Sequence, residues 1–287
     1  MFTIRNYVVA ESLEEAYELN QKNNNLILGG TCWLKMGNRN IQTAIDLSNL
    51  GLDKIEEDDE SFKIGCMCTL RQLEVHKGLN SYFNGIIAKS LVHIVGVQFR
   101  NCATIGGSIF SRFGFSDILT SLLALETYVE LYKGGIIPLE TYKDMPYDND
   151  IIVRIIIKKD SRKTAYLTHR NSATDIPTLA VAASKIDNKW KIVVGARPQK
   201  AIVIDCSEFL IKKTTEEEKD HLIDHILTDF KNQKEALVGA KDRFIEYILN
   251  NVEFQGNMRA SKEYRKILGK ALINRAIDEI LGGTYGN

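Results

Sequence analysis

Two Gly-Gly steps, each set where an apolar run gives way to hydroxyl residues, constrain this 287-residue chain more than any other feature. The first is Leu28-Gly29-Gly30-Thr31-Cys32-Trp33, closing the short buried-strand pattern Leu26-Ile27-Leu28. The second is Thr104-Ile105-Gly106-Gly107-Ser108, with Ser111 and Asp117 beyond it. Paired glycines let a backbone approach another group closely and turn its N–H groups toward an anion, and the flanking Thr and Ser add side-chain donors. One such step alone is an ordinary turn in about two cases of three. Two of them, about 75 residues apart, could clasp one pyrophosphate from both sides. Neither is a GxGxxG fingerprint, and neither is a P-loop, because no Gly-Lys-Ser/Thr follows. The remaining pairs read as structure: Gly134-Gly135 as a hairpin turn and Gly282-Gly283 as a helix stop.

The chain is long enough for one large or two ordinary domains, and 44% hydrophobic residues can build a substantial core. With 37 basic and 37 acidic side chains the formal charge is zero. That argues against a protein that works by attracting nucleic acid or anionic membranes. No apolar h-region follows Met1 and no run approaches the ~20 apolar residues of a membrane span, so neither a signal peptide nor a membrane protein is expected. Five cysteines, odd in number and without a CxxC pair, fit a reducing cytoplasm and are read mostly as small buried hydrophobes.

Periodicity predicts an α+β architecture. A helix is expected over Glu11 to Asn23 from a Ser12 cap, and strands at Leu26–Leu28 and Thr43–Leu47. A hairpin follows around Ile55 and Phe62 to Gly65. Tyr82 to Val92 is helical in pattern, Gln98 to Phe110 is Gly-rich and irregular, and Ser116 to Leu125 is an apolar helix. Val129–Tyr132 and Ile136–Leu139 flank Lys133-Gly134-Gly135 as a second hairpin. Ile151 to Lys158 is the most β-rich run, with Ala165–Thr168 as its expected partner. Ala180–Ser184 and Trp190–Val194 bracket a turn at Asp187-Asn188. Everything from Thr215 onward is mostly helical, ending in Ser261 to Leu281 with an apolar stripe of Tyr264, Leu268, Ala271 and Leu272. All four prolines fall after residue 137. The polar cluster between Lys158 and Lys163 is the expected boundary, giving domains 1–160 (subdomains about 1–52 and 53–160) and 161–287.

Three stretches carry a resemblance to a known family. LILGGTCWLKM followed by AIDLS resembles the first flavin-contacting loop of the FAD-binding medium subunit of molybdenum hydroxylases, the xanthine dehydrogenase and carbon monoxide dehydrogenase flavoprotein family. VGVQFRNCATIGGSI resembles its second signature. Asn257 to Arg275 is similar to its closing RGS-x-x-YR motif, with Ala260 in place of the usual glycine. The matches are collinear and span nearly the whole chain.

The resemblance implies a two-subdomain FAD-binding fold of the vanillyl-alcohol-oxidase/PCMH-like kind, followed by a C-terminal α+β domain of sheet plus helices. Carried over residue by residue, Leu28, Gly29, Gly30, Thr31, Cys32 and Trp33 would hold the pyrophosphate from one side, and Thr104, Gly106, Gly107, Ser108 and Ser111 from the other. Asp117 would accept from a ribose or ribityl hydroxyl. Ile94 and Ile105 stand where the family packs apolar side chains near the isoalloxazine ring. Many members place a lysine at the pyrimidine end of the flavin, where this chain offers Thr168, or His169 or Arg170 in a shifted register. Ser108 and Arg112-Phe113-Gly114 depart from the family pattern of Asn or Glu followed by Ala-Ser-Pro, a departure that implies a less tightly held flavin.

Other candidates are weaker. His221 and His225 have the spacing of a metal pair on a helix but lack a third ligand, so a solvated helix is expected in about nine cases of ten. Cys66 and Cys68 read as core, and no GxSxG elbow supports hydrolysis. Asp117 on residues alone is an ordinary helix-opening carboxylate in about three cases of four. Arg100 and Asn101 are expected to pin their loop. The family resemblance implies an oxidoreductase subunit that passes electrons from 2Fe-2S clusters through FAD to NAD+, in a heterotrimer with a molybdopterin-binding large subunit and a 2Fe-2S small subunit. Two other functions stay open: a stand-alone flavin reductase or oxidase, and an assembly module that has lost tight flavin binding.

Overall fold

In the computed structural model, residues 2–206 and 234–282 are described. They group into two compact units, Met1–Phe113 with Leu125–Asp160, and Gly114–Ala124 with Ser161–Asn287. The predicted boundary near 160 treats 1–160 as one stretch, whereas Gly114–Ala124 groups with the second unit.

The first unit holds two sheets. Strands β1 (Thr3–Val9), β2 (Asn25–Leu28) and β3 (Asn40–Asp46) form a small parallel sheet in the order β1-β3-β2. Helix α1 (Leu13–Asn20) is capped by Ser12, whose hydroxyl accepts from Glu15 N–H, and Glu14 and Glu15 suit the positive end of its dipole. Its buried Ala16 packs toward β2 and β3. β1 escapes the sequence pattern, because as an edge strand it exposes most of its residues and shows no apolar alternation.

The second sheet, antiparallel throughout, runs β4 (Ile55–Glu57), β5 (Ser61–Gly65), β8 (Ile152–Lys158), β6 (Thr127–Leu131), β7 (Gly135–Pro138) in spatial order. β8 is central, which is why its sequence is a nearly continuous apolar run rather than an alternating one. Both of its edges are paired, Ile64 with Ile155 on one side and Val129 with Ile155 on the other. Ala165–Thr168 is therefore not its partner. The chain leaves the sheet at the polar KKDSRK segment, and β9 (Lys163–His169) pairs with β10 in another sheet.

Between β5 and β6 lie short helices α2 (Leu70–Val75), α3 (Lys77–Ser81), α4 (Ile86–Leu91), α5 (Val97–Cys102) and α6 (Ile105–Phe110). α2 opens with a full capping box between Thr69 and Gln72. The helix expected over Tyr82–Val92 is broken, because Phe83, Asn84 and Gly85 are all left-handed and α4 starts only at Ile86. Gln98–Phe110, expected to be irregular, is helical: α5 and α6 meet at Ala103-Thr104, and Gly106-Gly107 lie inside α6. Helix α8 (Leu139–Tyr142) follows β7.

The second unit is a four-stranded antiparallel sheet, β12-β11-β10-β9, built from β9, β10 (Leu179–Ile186), β11 (Lys189–Gly195) and β12 (Ile202–Asp205). Leu179, Val181 and Ala183 on one face join a core with α9 (Lys234–Asn250) and α10 (Lys262–Leu281). The alternate residues Ala180, Ala182 and Ser184 are buried too, and α7 (Asp117–Leu123) packs against β10 and β11. Contact with these strands explains why residues 114–124 belong to this unit. On α10 the buried face is Arg265, Gly269, Leu272, Ile273, Ala276, Ile277 and Ile280, so the expected stripe is displaced: Tyr264 and Ala271 face solvent and Leu268 is half-buried. Among the described residues no helix is long and apolar enough to cross a membrane, and no cluster of His, Cys, Asp and Glu could hold a metal. His221 and His225 lie outside the described residues.

Candidate functional site

The first Gly-Gly step begins where β2 ends, at the carboxyl edge of a parallel sheet, the edge at which such sheets bind ligands. The fold presses it against the second. A Cβ on Gly30 would overlap the Cys102 carbonyl at the end of α5, and one on Gly29 would stand 2.8 Å from Thr104 Oγ1. On the other side, a Cβ on Gly106 would meet Cys66 at 2.7 Å. The two steps, far apart in sequence, are one backbone junction that side chains would force open.

The two sides differ in their hydrogen bonding. The backbone N–H groups of Gly29, Gly30, Thr31 and Cys32 donate to no acceptor among the described residues. Thr31, a β-branched residue, is held at φ +55, a left-handed conformation that costs of order 1–3 kcal/mol and is kept where the surroundings impose it. It turns the loop so that successive N–H groups can converge, the arrangement of an anion nest. Burial pushes the Cys32 thiol up, with the nearby Cys102 adding to the effect. Trp33, half exposed, stands edge-on to Phe113 at 5.5 Å.

On the second side the donors are already used. Ile105 N–H donates to Cys68 O at 2.9 Å and Gly106 N–H to Cys66 O at 2.8 Å, while Gly107 N–H donates to the capping hydroxyl of Thr104 at 3.2 Å. The Ser108 hydroxyl donates to Thr104 O and the Ser111 hydroxyl to Ser108 O. Ile105 is fully buried. Burial also pushes the Cys66 and Cys68 thiols up to about 12, consistent with core residues rather than ligands.

From this junction opens a cleft of about 480 Å³. Leu28, Gly29, Thr104, Gly106 and Gly107 line it, together with the segment 147–152 that leads into β8. That segment is absent from the sequence expectation, since only the pairing of β8 brings it opposite β2. Ile94 is half-buried in a separate loop, where Val95 is left-handed at φ +48 and Val92, Val95 and Val97 are exposed. Arg100, expected to pin the Thr104–Gly107 loop that follows it, holds the Ile94 loop instead: its guanidinium takes Glu74 bidentately at 2.8 and 3.0 Å and donates to Ile94 O at 2.9 Å.

Asp117 and Thr168 belong to the second unit. Asp117 is buried at the first position of α7, and its Oδ1 accepts from the Tyr166 hydroxyl at 2.5 Å and from Arg170. Burial and the neighbouring Asp117 charge hold the Tyr166 hydroxyl well above its usual range. Thr168 donates to Leu179 O at 3.2 Å, and the His169 ring stands edge-on to Tyr264. The Tyr166–Asp117–Arg170 cluster has no sequence signature, because its members meet only through packing.

Comparison with known proteins places these features in a family. Residues 2–159, more than half of the chain, match the family described as FAD binding domain in molybdopterin dehydrogenase. The fold matches a chain of quinoline 2-oxidoreductase from Pseudomonas putida 86 with a TM-score of 0.77, covering 98% of each chain at 18% identity. It matches a chain of carbon monoxide dehydrogenase from Oligotropha carboxidovorans equally well, with a TM-score of 0.77 at 18% identity over 98% of this chain and 99% of that one. In sequence, the uncharacterized protein YgfM of Escherichia coli K12 is 29% identical over 161 residues, 55% of this chain and 60% of its own length. The 6-hydroxypseudooxynicotine dehydrogenase complex subunit alpha of Paenarthrobacter nicotinovorans is 28% identical over 130 residues, 43% of this chain and 44% of its own. The matches therefore span 60% or less of these curated relatives. With more than half its length inside the family match, the chain belongs to the family of FAD-binding domains of molybdopterin dehydrogenases.

Proposed function

We propose that this chain binds FAD and serves as the electron-transferring subunit of a molybdenum hydroxylase-type complex. The observation that carries the proposal is the backbone junction of Gly29-Gly30 with the α5–α6 turn, which opens into a cleft and presents four unpaired N–H groups. A cradle that a Cβ would fill, lined by backbone donors, fits a pyrophosphate without any lysine or arginine. In this proposal Gly29 to Cys32 bind the phosphates, and Gly107 N–H joins them by exchanging its Thr104 cap for a phosphate oxygen. Leu28 and Trp33 flank the cradle, and Ser108 and Ser111, whose hydroxyl protons go to Thr104 O and Ser108 O, accept from hydroxyls of the ligand; the sequence resemblance assigns Asp117 and Thr168 to the ribityl and ring ends. Ile94, Ile105 and the exposed valines beside Ile94 exclude water near the ring. Bound FAD supplies a redox centre able to take electrons one at a time and release them in pairs.

The finer assignment follows the sequence resemblance. We place the partners on separate chains, a molybdopterin-binding large subunit and a 2Fe-2S small subunit in a heterotrimer, with NAD+ as the acceptor in a xanthine dehydrogenase-like, cytoplasmic enzyme. The test is purification of the chain by itself. It should retain or take up one FAD per chain and should oxidise no purine until the partner chains are added. A protein that stays colourless after incubation with FAD contradicts the proposal. One observation favours a second function, an assembly module with weak flavin binding: the donors of Ile105, Gly106, Ser108 and Ser111 are all spent within the protein. Submicromolar FAD affinity would reject it.

A further inference from the structure

Arg112 directly follows the second loop and is left-handed, with φ +47. The residue is 4% exposed and has no carboxylate partner among the described residues. The guanidinium instead lies over two phenol rings, 4.1 Å from the centre of Tyr142 and 4.7 Å from that of Tyr147. Nη1 donates to Met145 O at 2.6 Å, while Nε and Nη2, shielded from solvent, make no hydrogen bond to any described residue. Burying a cation with two unsatisfied donors is unfavourable, so the stack must hold something that the fold needs held.

What it holds is Tyr147. That ring is 63% exposed, yet its hydroxyl donates to Ser111 O at 2.7 Å and its edge meets Phe110 at 5.6 Å. Phe110 and Tyr147 both line the cleft that opens from the Gly-Gly junction. Asn25 lines it too, and its Oδ1 is buried without a donor, while its Nδ2 is spent on Leu19 O. An aromatic wall together with an unused acceptor suits a planar heteroaromatic ring that carries an exocyclic amino group.

We infer that Arg112 is a positioning residue, holding Tyr147 beside Phe110 as the wall on which the aminopurine end of the dinucleotide stacks, with Asn25 Oδ1 accepting from its amino group. The inference rests on the FAD assignment above, since the base is the far end of the ligand whose pyrophosphate the junction holds.

The test uses the full chain stripped of flavin, titrated calorimetrically with FAD, ADP and FMN. ADP carries the purine and FMN does not. Tyr147→Ala and Arg112→Ala should each weaken ADP about tenfold, the scale of one base–aromatic stack, and leave FMN unchanged. The double variant should be no weaker than either single one, because both act through the same ring. Tyr147→Phe should retain ADP affinity. Because Tyr147 is largely exposed, Tyr147→Ala keeps the test alive should Arg112→Ala fail to fold. Unchanged ADP affinity in Tyr147→Ala, equal losses of ADP and FMN, or additive losses in the double variant would overturn the inference while the FAD assignment stands. A wild-type chain that binds neither FAD nor ADP would remove both.

Discussion

The two Gly-Gly loops look alike in sequence and do opposite work. Around Gly29-Gly30 the backbone has left regular structure, carries a strained Thr31, and keeps its N–H groups unpaired. Around Gly106-Gly107 the backbone is the first turn of a helix whose donors are spent on Cys66, Cys68 and Thr104. Glycine serves each for a different reason. Gly30 clears space for the partner loop, and Gly106 lets α6 press onto the strand end at Cys66. In the proposed function the first loop supplies most of the phosphate donors, and the second, apart from Gly107 N–H, is the support that shapes it.

The largest effect that separates them is steric. In Gly30→Ala the new methyl collides with the Cys102 carbonyl, so the loops must part; FAD affinity should fall more than a hundredfold and stability by about 1–3 kcal/mol. Gly107→Ala places its methyl 3.2 Å from the Thr104 hydroxyl, a contact that a small rotation relieves, and should lose less than about tenfold. Equal losses in flavin titrations and thermal melts would erase the distinction. Next comes strain. Thr31→Gly removes the left-handed penalty, so the protein should gain of order 1 kcal/mol in denaturant unfolding yet bind FAD several-fold more weakly, having lost the preset loop.

A third effect belongs to the support. The Cys66 and Cys68 thiols, whose backbone carbonyls anchor α6, are raised from 9.0 to about 12 by burial. A raised value means that the folded protein holds the proton more tightly than the unfolded chain. That stability is fully present below pH 9 and is lost as pH rises through 12. Thermal midpoints should therefore decline between pH 9 and 12, and a Cys66→Ala/Cys68→Ala variant should show a shallower decline. The smallest effect is expected at Ser108→Ala. Its hydroxyl donates only to Thr104 O in its own helix, and the change should move stability by less than about 0.5 kcal/mol and FAD affinity by less than threefold.

What was legible in the sequence follows the same division. β2, its Gly-Gly terminus, the Ser12 and Ser116 caps and both hairpins of the first unit are local patterns, and they stand as expected. The helix containing Gly106 and Gly107 was not legible, because two glycines signal a loop unless the close approach to Cys66 is known. Likewise β8 and β9 are neighbours in sequence, yet β8 sits at the centre of a five-stranded sheet with both edges taken. Arg112 with Tyr147, and Asp117 with Tyr166 and Arg170, meet through contacts between distant residues; the sequence singles out Asp117, Arg112 and Arg170 but does not show what they touch.

Amide hydrogen exchange of the full chain, with and without FAD, tests the central claim most directly. The account predicts that FAD strongly slows exchange at Gly29 to Cys32, whose N–H groups are unpaired without ligand, and leaves Ile105 and Gly106 unchanged because they are already bonded. Slowing at Ile105 and Gly106 with none at Gly29 to Cys32 would contradict it.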